Sequence, residues 1–200
     1  MVIRSLGIKC EDLRSLRRLC PTSSIWTVDL AHLLRHFGVD VLFLTITIGA
    51  NPDFAHESFY MENMEEDGRR VDRLFRDASK AGIVIQQRSL SPAEMQGIIL
   101  SGLYLIVALV DKRKVNHPWS SAAELCIPQC CGLGSGYTGH YVVVCGYNGD
   151  RGEFLIRDPA SSSESIFISS ENLDEARKSF GTDEDILLVS TSLGGKMAEA

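Results

Sequence analysis

Between Tyr104 and Val110 the chain reads YLIVALV, an unbroken apolar run closed by Asp111. A run this short and this apolar is a strand buried at the centre of a sheet, since a membrane span needs roughly 18 apolar residues. No longer apolar stretch occurs, so the sequence predicts no membrane-spanning helix. The fold must be organised around this strand, and the flanking patterns say what surrounds it.

Upstream, the patterns are mostly helical. Charges at helical spacing predict a helix over 6–18, broken by CPTSS. Val28, Leu30, Leu33, Leu34 and Phe37 form one apolar face, with Ser23 or Ser24 as the N-cap and Gly38 as the stop. A β-branched strand over 39–49 follows, then an acidic, loop-rich stretch, then a stripe of Val71, Leu74, Phe75 and Ala78. IVIQQRSL reads as a strand, and Ser91-Pro92 with Glu94 opens another helix. Downstream, strands are expected at 141–147, 153–157, 165–168 and 185–190, with a capped helix over 169–181. Helices early and antiparallel-looking strands late read as α+β. One domain over 1–200 is expected, with 193–200 frayed.

At 22.0 kDa and 44% apolar residues, the chain can bury a real core. A net charge of -6 argues against a nucleic-acid partner but leaves a nucleotide possible, since that needs only a few local donors. The N-terminus turns charged too soon for a signal peptide. Six cysteines without secretory context predict reduced thiols and a cytoplasmic location.

The stretch YTGHYVVVCGYNGDRGEFLIRDPAS sets His140 at the head of one strand and Asp158 at the end of the next. Neighbouring strands would bring the two together, and the Asp would orient the imidazole for proton transfer. The same pair could simply tie two strands. This segment resembles the second half of papain-like domains of the C39 peptidase type. The resemblance implies early helices on a mostly antiparallel sheet, with a Cys nucleophile in an Asp-Cys-Gly segment heading the first helix. MVIRSLGI looks like the tail of that helix, and no Cys precedes it; Cys10 and Cys20 come too late. On this resemblance the domain is N-terminally truncated, lacks its nucleophile and is marginally stable.

A narrower resemblance runs through CPTSSIWTVDLAHLLRHFGV, TITIGANPDF, TGHYVVVCGY, IRDPASS and ARKSFGTDEDILLV. These strings resemble the guanylyl cyclase 1 family of plants and its animal relatives, across nearly the whole chain. That family implies a soluble enzyme converting GTP to cyclic GMP and pyrophosphate with Mg or Mn. It implies a motif running here from Ser24 through Trp26 to Arg35 and His36. Ser24 would hydrogen-bond guanine and Trp26 would stand at the base-selecting position. Arg35 would steady the phosphates, and Asp40 would be the nearest metal carboxylate. The plain structural alternative makes Ser24 a cap, Trp26 core, and Arg35 a last-turn cation complementing the helix dipole.

Other signals are weaker. GLGSGYTGH lacks the Gly-Lys-Ser/Thr of a phosphate loop. Cys126, Cys130 and Cys131 form one cluster without the second pair that zinc prefers. Asp183 to Asp185 read as a solvated acidic turn, and Met61 to Arg73 as an exposed helix start. Three functions are consistent with the chain: a guanylyl cyclase, which leads; a papain-like hydrolase scaffold without its nucleophile; and a non-catalytic interaction domain.

Overall fold

The computed structural model describes residues 1–9, 13–22, 24–56, 64–115, 137–161, 163 and 165–192. Its elements run α1 (Val2–Ser5), α2 (Leu13–Leu19), α3 (Thr27–His36), β1 (Val41–Thr45), a 3-10 turn (Pro52–His56), α4 (Met64–Asp77), β2 (Val84–Gln87) and α5 (Pro92–Leu100). They continue through β3 (Tyr104–Asp111), α6 (Lys112–Val115), β4 (Gly139–Asn148), β5 (Glu153–Arg157), β6 (Ile166–Ser169), α7 (Ser170–Arg177) and β7 (Ile186–Ser190).

β3 lies at the centre, as its composition demands, in a seven-stranded sheet of order β2-β1-β7-β3-β4-β5-β6. It is buried from Ile106 to Asp111, and its side chains alternate between two cores. Ile106, Ala108 and Val110 join Met95, Ile99 and Leu173 under α5 and α7. Val107 joins Val28, Ala31, Leu34 and Val71 under α3 and α4. Helices thus cover both faces. Every strand pairing is antiparallel except β1 with β2, whose parallel alignment uses α4 as its crossover.

The α+β reading holds, with local corrections. Of the helix expected over 6–18, 13–18 is helical as part of α2, while 6–9 are not: Gly7 adopts φ +71° just after α1 and turns the chain out of helical geometry, and 10–12 lie outside the described residues. The strand expected over 39–49 stops at Thr45. There the Thr45 hydroxyl donates to Thr47 O at 3.1 Å and accepts from Thr47 N–H at 3.2 Å, a local turn that competes with the ladder. The cap and Pro expected for α5 are present: the Ser91 hydroxyl accepts from Glu94 N–H at 3.2 Å, and the Glu94 carboxylate accepts from Ser91 N–H at 2.7 Å.

β7 is hydrogen-bonded to both β1 and β3, although it comes last among the described strands. Leu187 is fully buried in the α3–α4 core. Leu187→Ala should lower unfolding free energy by about 2–5 kcal/mol in denaturant titrations. Leu100→Ala, at an exposed position, should stay within about 0.5 kcal/mol. Equal effects from the two would contradict this placement of β7.

Candidate functional site

His140 and Asp158 do meet. His140 Nε2 stands 2.6 Å from Asp158 Oδ1, and the side chains are 14% and 13% exposed. Asp158 Oδ1 also accepts from Ala160 N–H at 2.7 Å, so the turn after β5 holds the carboxylate in place. Engaging Nε2 leaves Nδ1 as the nitrogen for any proton transfer. Register pairs His140 with Val110, and alternation puts it on the side of Val142 and Val144, under α5 and α7. Its neighbours Gly139 and Tyr141 line a cavity on the opposite face, beside α3.

No thiol among the described residues serves this pair. Cys145 lies five residues along β4, about 16 Å away. Its Sγ donates weakly to Leu155 O at 3.6 Å. Cys20 is half-buried before α3, and burial together with the Asp29 charge raises its pKa, the reverse of an activated thiol. Cys10, Cys126, Cys130, Cys131 and most of the glycine loop lie outside the described residues.

The head of α3 is built differently from the expectation. Trp26, not Ser24, is the N-cap, and the Asp29 carboxylate accepts from Trp26 N–H at 2.9 Å. Ser23 lies outside the described residues. Ser24 sits two residues before the cap, because the Thr22 hydroxyl bonds both Ser24 O at 2.9 Å and Ser24 N–H at 3.2 Å. That turn faces Ser24 toward α4. Its hydroxyl donates to Asp67, and its carbonyl accepts from Arg70 at 3.0 Å. Arg70 also pairs with Asp29 and, at 3.0 Å, with Asp67. Around them opens a groove of about 640 Å³ lined by Pro21, Thr22, Ser24, Glu66, Asp67, Arg69, Arg70 and Arg73. Three guanidinium groups face two carboxylates there, and Arg69 and Arg73 are one helical turn apart on α4. Met61 to Arg73 therefore holds more than the exposed helix start expected of it, although 57–63 lie outside the described residues.

Arg35 is at the other end of α3, about 14 Å from Trp26 along the helix axis. Its Nε donates to Ala81 O at 3.3 Å, its Nη1 donates to Val39 O at 3.1 Å, and Nη1 also pairs with Asp40. Arg35 thus clamps the end of α3 to the start of β1 and to the α4–β2 turn. The same pairing occupies Asp40, and among the described residues no group of three His, Cys, Asp or Glu could hold a metal ion. Asp40 with a guanidinium on its carboxylate does not fit a metal site.

The acidic turn is the feature the sequence undersold. Asp185 is 8% exposed rather than solvated, because β7 inserts between β1 and β3 and carries the turn inward. Asp183 and Glu184 both adopt positive φ, 47° and 53°. Asp183 accepts from the Thr47 hydroxyl at 2.8 Å and from the Asn51 amide at 2.7 Å. Burial pushes the Asp183 carboxyl above its ordinary value and Asp185 well above; at Asp185 hydrogen bonds from Thr27 and Thr45 oppose the rise and the Asp183 charge adds to it. Asp183 and Asp185 line the second feature on the α3 face, a cavity of about 220 Å³ shared with Trp26, Thr27, Phe54 and Tyr141. Hence the structure separates the expected residues: Ser24 faces the groove, Trp26 the cavity, Arg35 the clamp, and His140 the other side of the sheet.

The sign of the Asp185 effect on stability follows from its raised pKa. The unfolded chain releases this proton near 3.8, while the folded chain holds it to higher pH. Stability from this group is present below that value and is lost as pH rises toward the folded pKa. Asp185→Asn should therefore melt above wild type at pH 8, with the gap closing toward pH 4. The slope is at most about 1.4 kcal/mol per pH unit. A pH-independent gap in thermal melts would contradict the buried, neutral state.

No helix among the described residues is long and apolar enough to cross a membrane. Compared with known proteins, the chain is 51% identical over 189 residues to guanylyl cyclase 1 of Arabidopsis thaliana, across 94% of this chain and 68% of that protein. A family model described as guanylylate cyclase matches residues 1–189. The chain belongs to the guanylylate cyclase family.

Proposed function

We propose that this chain is a guanylyl cyclase that binds GTP along the α4 groove and converts it to cyclic GMP and pyrophosphate. The observation that carries this reading is the meeting of Ser24 with Arg69, Arg70 and Arg73 in one groove, on a chain of this family. About 640 Å³ is within the usual range for a small-molecule site. Arg69 and Arg73 would fork onto the phosphate oxygens, the role the family motif implied for Arg35. Arg73 makes no ion pair with any described residue, so turning to a phosphate would break none of the ion pairs among them.

Cyclisation forms a bond from the ribose 3′ oxygen to the α-phosphorus and breaks the bond to the bridging oxygen, whose electron pair leaves with pyrophosphate. Positioning and charge stabilisation are the main demands of such a transfer. The 3′ proton needs an acceptor, and Glu66 is a groove carboxylate with no ion-pair partner among the described residues. Arg69 and Arg73 would stabilise the leaving pyrophosphate. A triphosphate carries its own Mg or Mn in solution, and no step here depends on a metal held by Asp40.

Mass spectrometry of cyclic GMP made from GTP with Mg or Mn tests the reading. The Arg69→Ala/Arg73→Ala double variant should make at least about tenfold less product, since removing one charge-assisted hydrogen bond costs roughly a factor of ten. Arg35→Ala should act mainly through a lowered melting temperature, because it removes a clamp. Product that survives the double variant but disappears with His140→Ala would move the chemistry to the β4–β5 pair. No product above a mock purification would end the cyclase reading.

A further inference from the structure

The cavity beside α3 is distinct from the arginine groove. Ser24 and the α4 arginines line the groove, whereas Trp26, Thr27 and Asp185 line the cavity. One oxygen of Asp185, Oδ1, is buried without a hydrogen-bond partner among the described residues. The Thr27 and Thr45 hydroxyls hydrogen-bond the same carboxyl and oppose the rise in its pKa, but they leave Oδ1 open. The Thr45 hydroxyl also lies 3.1 Å from Thr47 O and 3.4 Å from Asp183 O, and the Thr27 hydroxyl lies 3.2 Å from the Tyr141 hydroxyl. A buried acceptor left open at the edge of a cavity calls for a partner beyond the described residues, which a bound ligand can supply.

We propose that this cavity is a base-binding pocket, taking a planar heterocycle by a lactam edge, an N–H beside a C=O, on the Asp185 carboxyl. Three features select that class. About 220 Å³ exceeds the roughly 150 Å³ that holds a benzene ring, so a bicyclic base fits while a whole nucleotide does not. The aromatic side chains of Trp26 and Phe54 offer flat apolar walls. A neutral carboxyl presents one donor next to one acceptor, which matches a lactam in two parallel hydrogen bonds. Burial favours that neutral form. Asp183 beside it disfavours phosphate or any other anion. Naming the heterocycle as guanine rests on the guanine-nucleotide reading above; the need for a lactam does not.

Calorimetric titration of the full chain with phosphate-free guanosine is the test, with N1-methylguanosine as the control whose lactam N–H is blocked. Guanosine should bind at least about tenfold more tightly than the methylated nucleoside, the equivalent of one buried hydrogen bond. Asp185→Asn keeps a donor beside an acceptor and should retain guanosine within a few-fold. Asp185→Leu, checked for folding by circular dichroism, should weaken binding tenfold or more. Equal affinity for the two nucleosides, or no guanosine binding to the wild-type chain, overturns the proposal even if the leucine variant fails to fold. Guanosine binding that survives Asp185→Leu but is abolished in Arg69→Ala/Arg73→Ala puts the base in the groove. That result overturns the cavity and leaves the guanine-nucleotide reading standing. Tight guanosine binding at Asp185 without cyclic GMP formation would do the reverse.

Discussion

β7 is hydrogen-bonded along both edges, to β1 on one side and β3 on the other, although it is the last strand among the described residues. It joins a parallel pair, β1 with β2, to the antiparallel run from β3 to β6. Without it each half would present an open edge, and the two cores would be stripped of Ile186, Leu187, Leu188 and Val189 together. Burial of side chains this size is worth about 1.5–3 kcal/mol each. The insertion also brings the turn before β7 against the head of α3, so Asp185 becomes buried and Asp183 half-buried beside one cavity.

The head of α3 depends on a second set of interactions. Asp29 caps Trp26 N–H and pairs with Arg70, which also holds Asp67 and the Ser24 carbonyl. One partly buried guanidinium thus ties the loop before α3 to α4, and leaves Arg69 and Arg73 on the rim of the same groove. Arg35 shows the opposite use of the same side chain. Two of its three nitrogens meet backbone carbonyls and a carboxylate, a pattern that fixes a joint rather than one that awaits a substrate. Both arginines look alike in sequence, and the partners alone separate their roles.

The His140–Asp158 pair was legible because it is local. Two adjacent strands joined by a short turn leave little choice about which residues become neighbours, and the pair forms at hydrogen-bond distance. Its distance from the α3 motif was not legible. Strand alternation assigns His140 to the α5–α7 face once the register with Val110 is known, and register depends on β3, some thirty residues earlier. Residues whose chemistry seemed to belong to one site therefore lie on two sides of a sheet.

The sequence by itself determined most of the elements and the relationship. The apolar run at Tyr104 to Val110 had to be central, Ser91-Pro92 with Glu94 had to start a helix, and the α3 stripe had to end at Gly38. These follow from periodicity, capping and backbone freedom, which act over a few residues. The family likeness lay in strings of residues and needed no coordinates. Tertiary structure alone decided the polar chemistry: which arginine is a clamp, which serine faces a groove, and that Asp185 of an acidic turn is buried. Charge and desolvation depend on what packs from distant parts of the chain, and for Asp185 that packing comes from the strand order of the sheet.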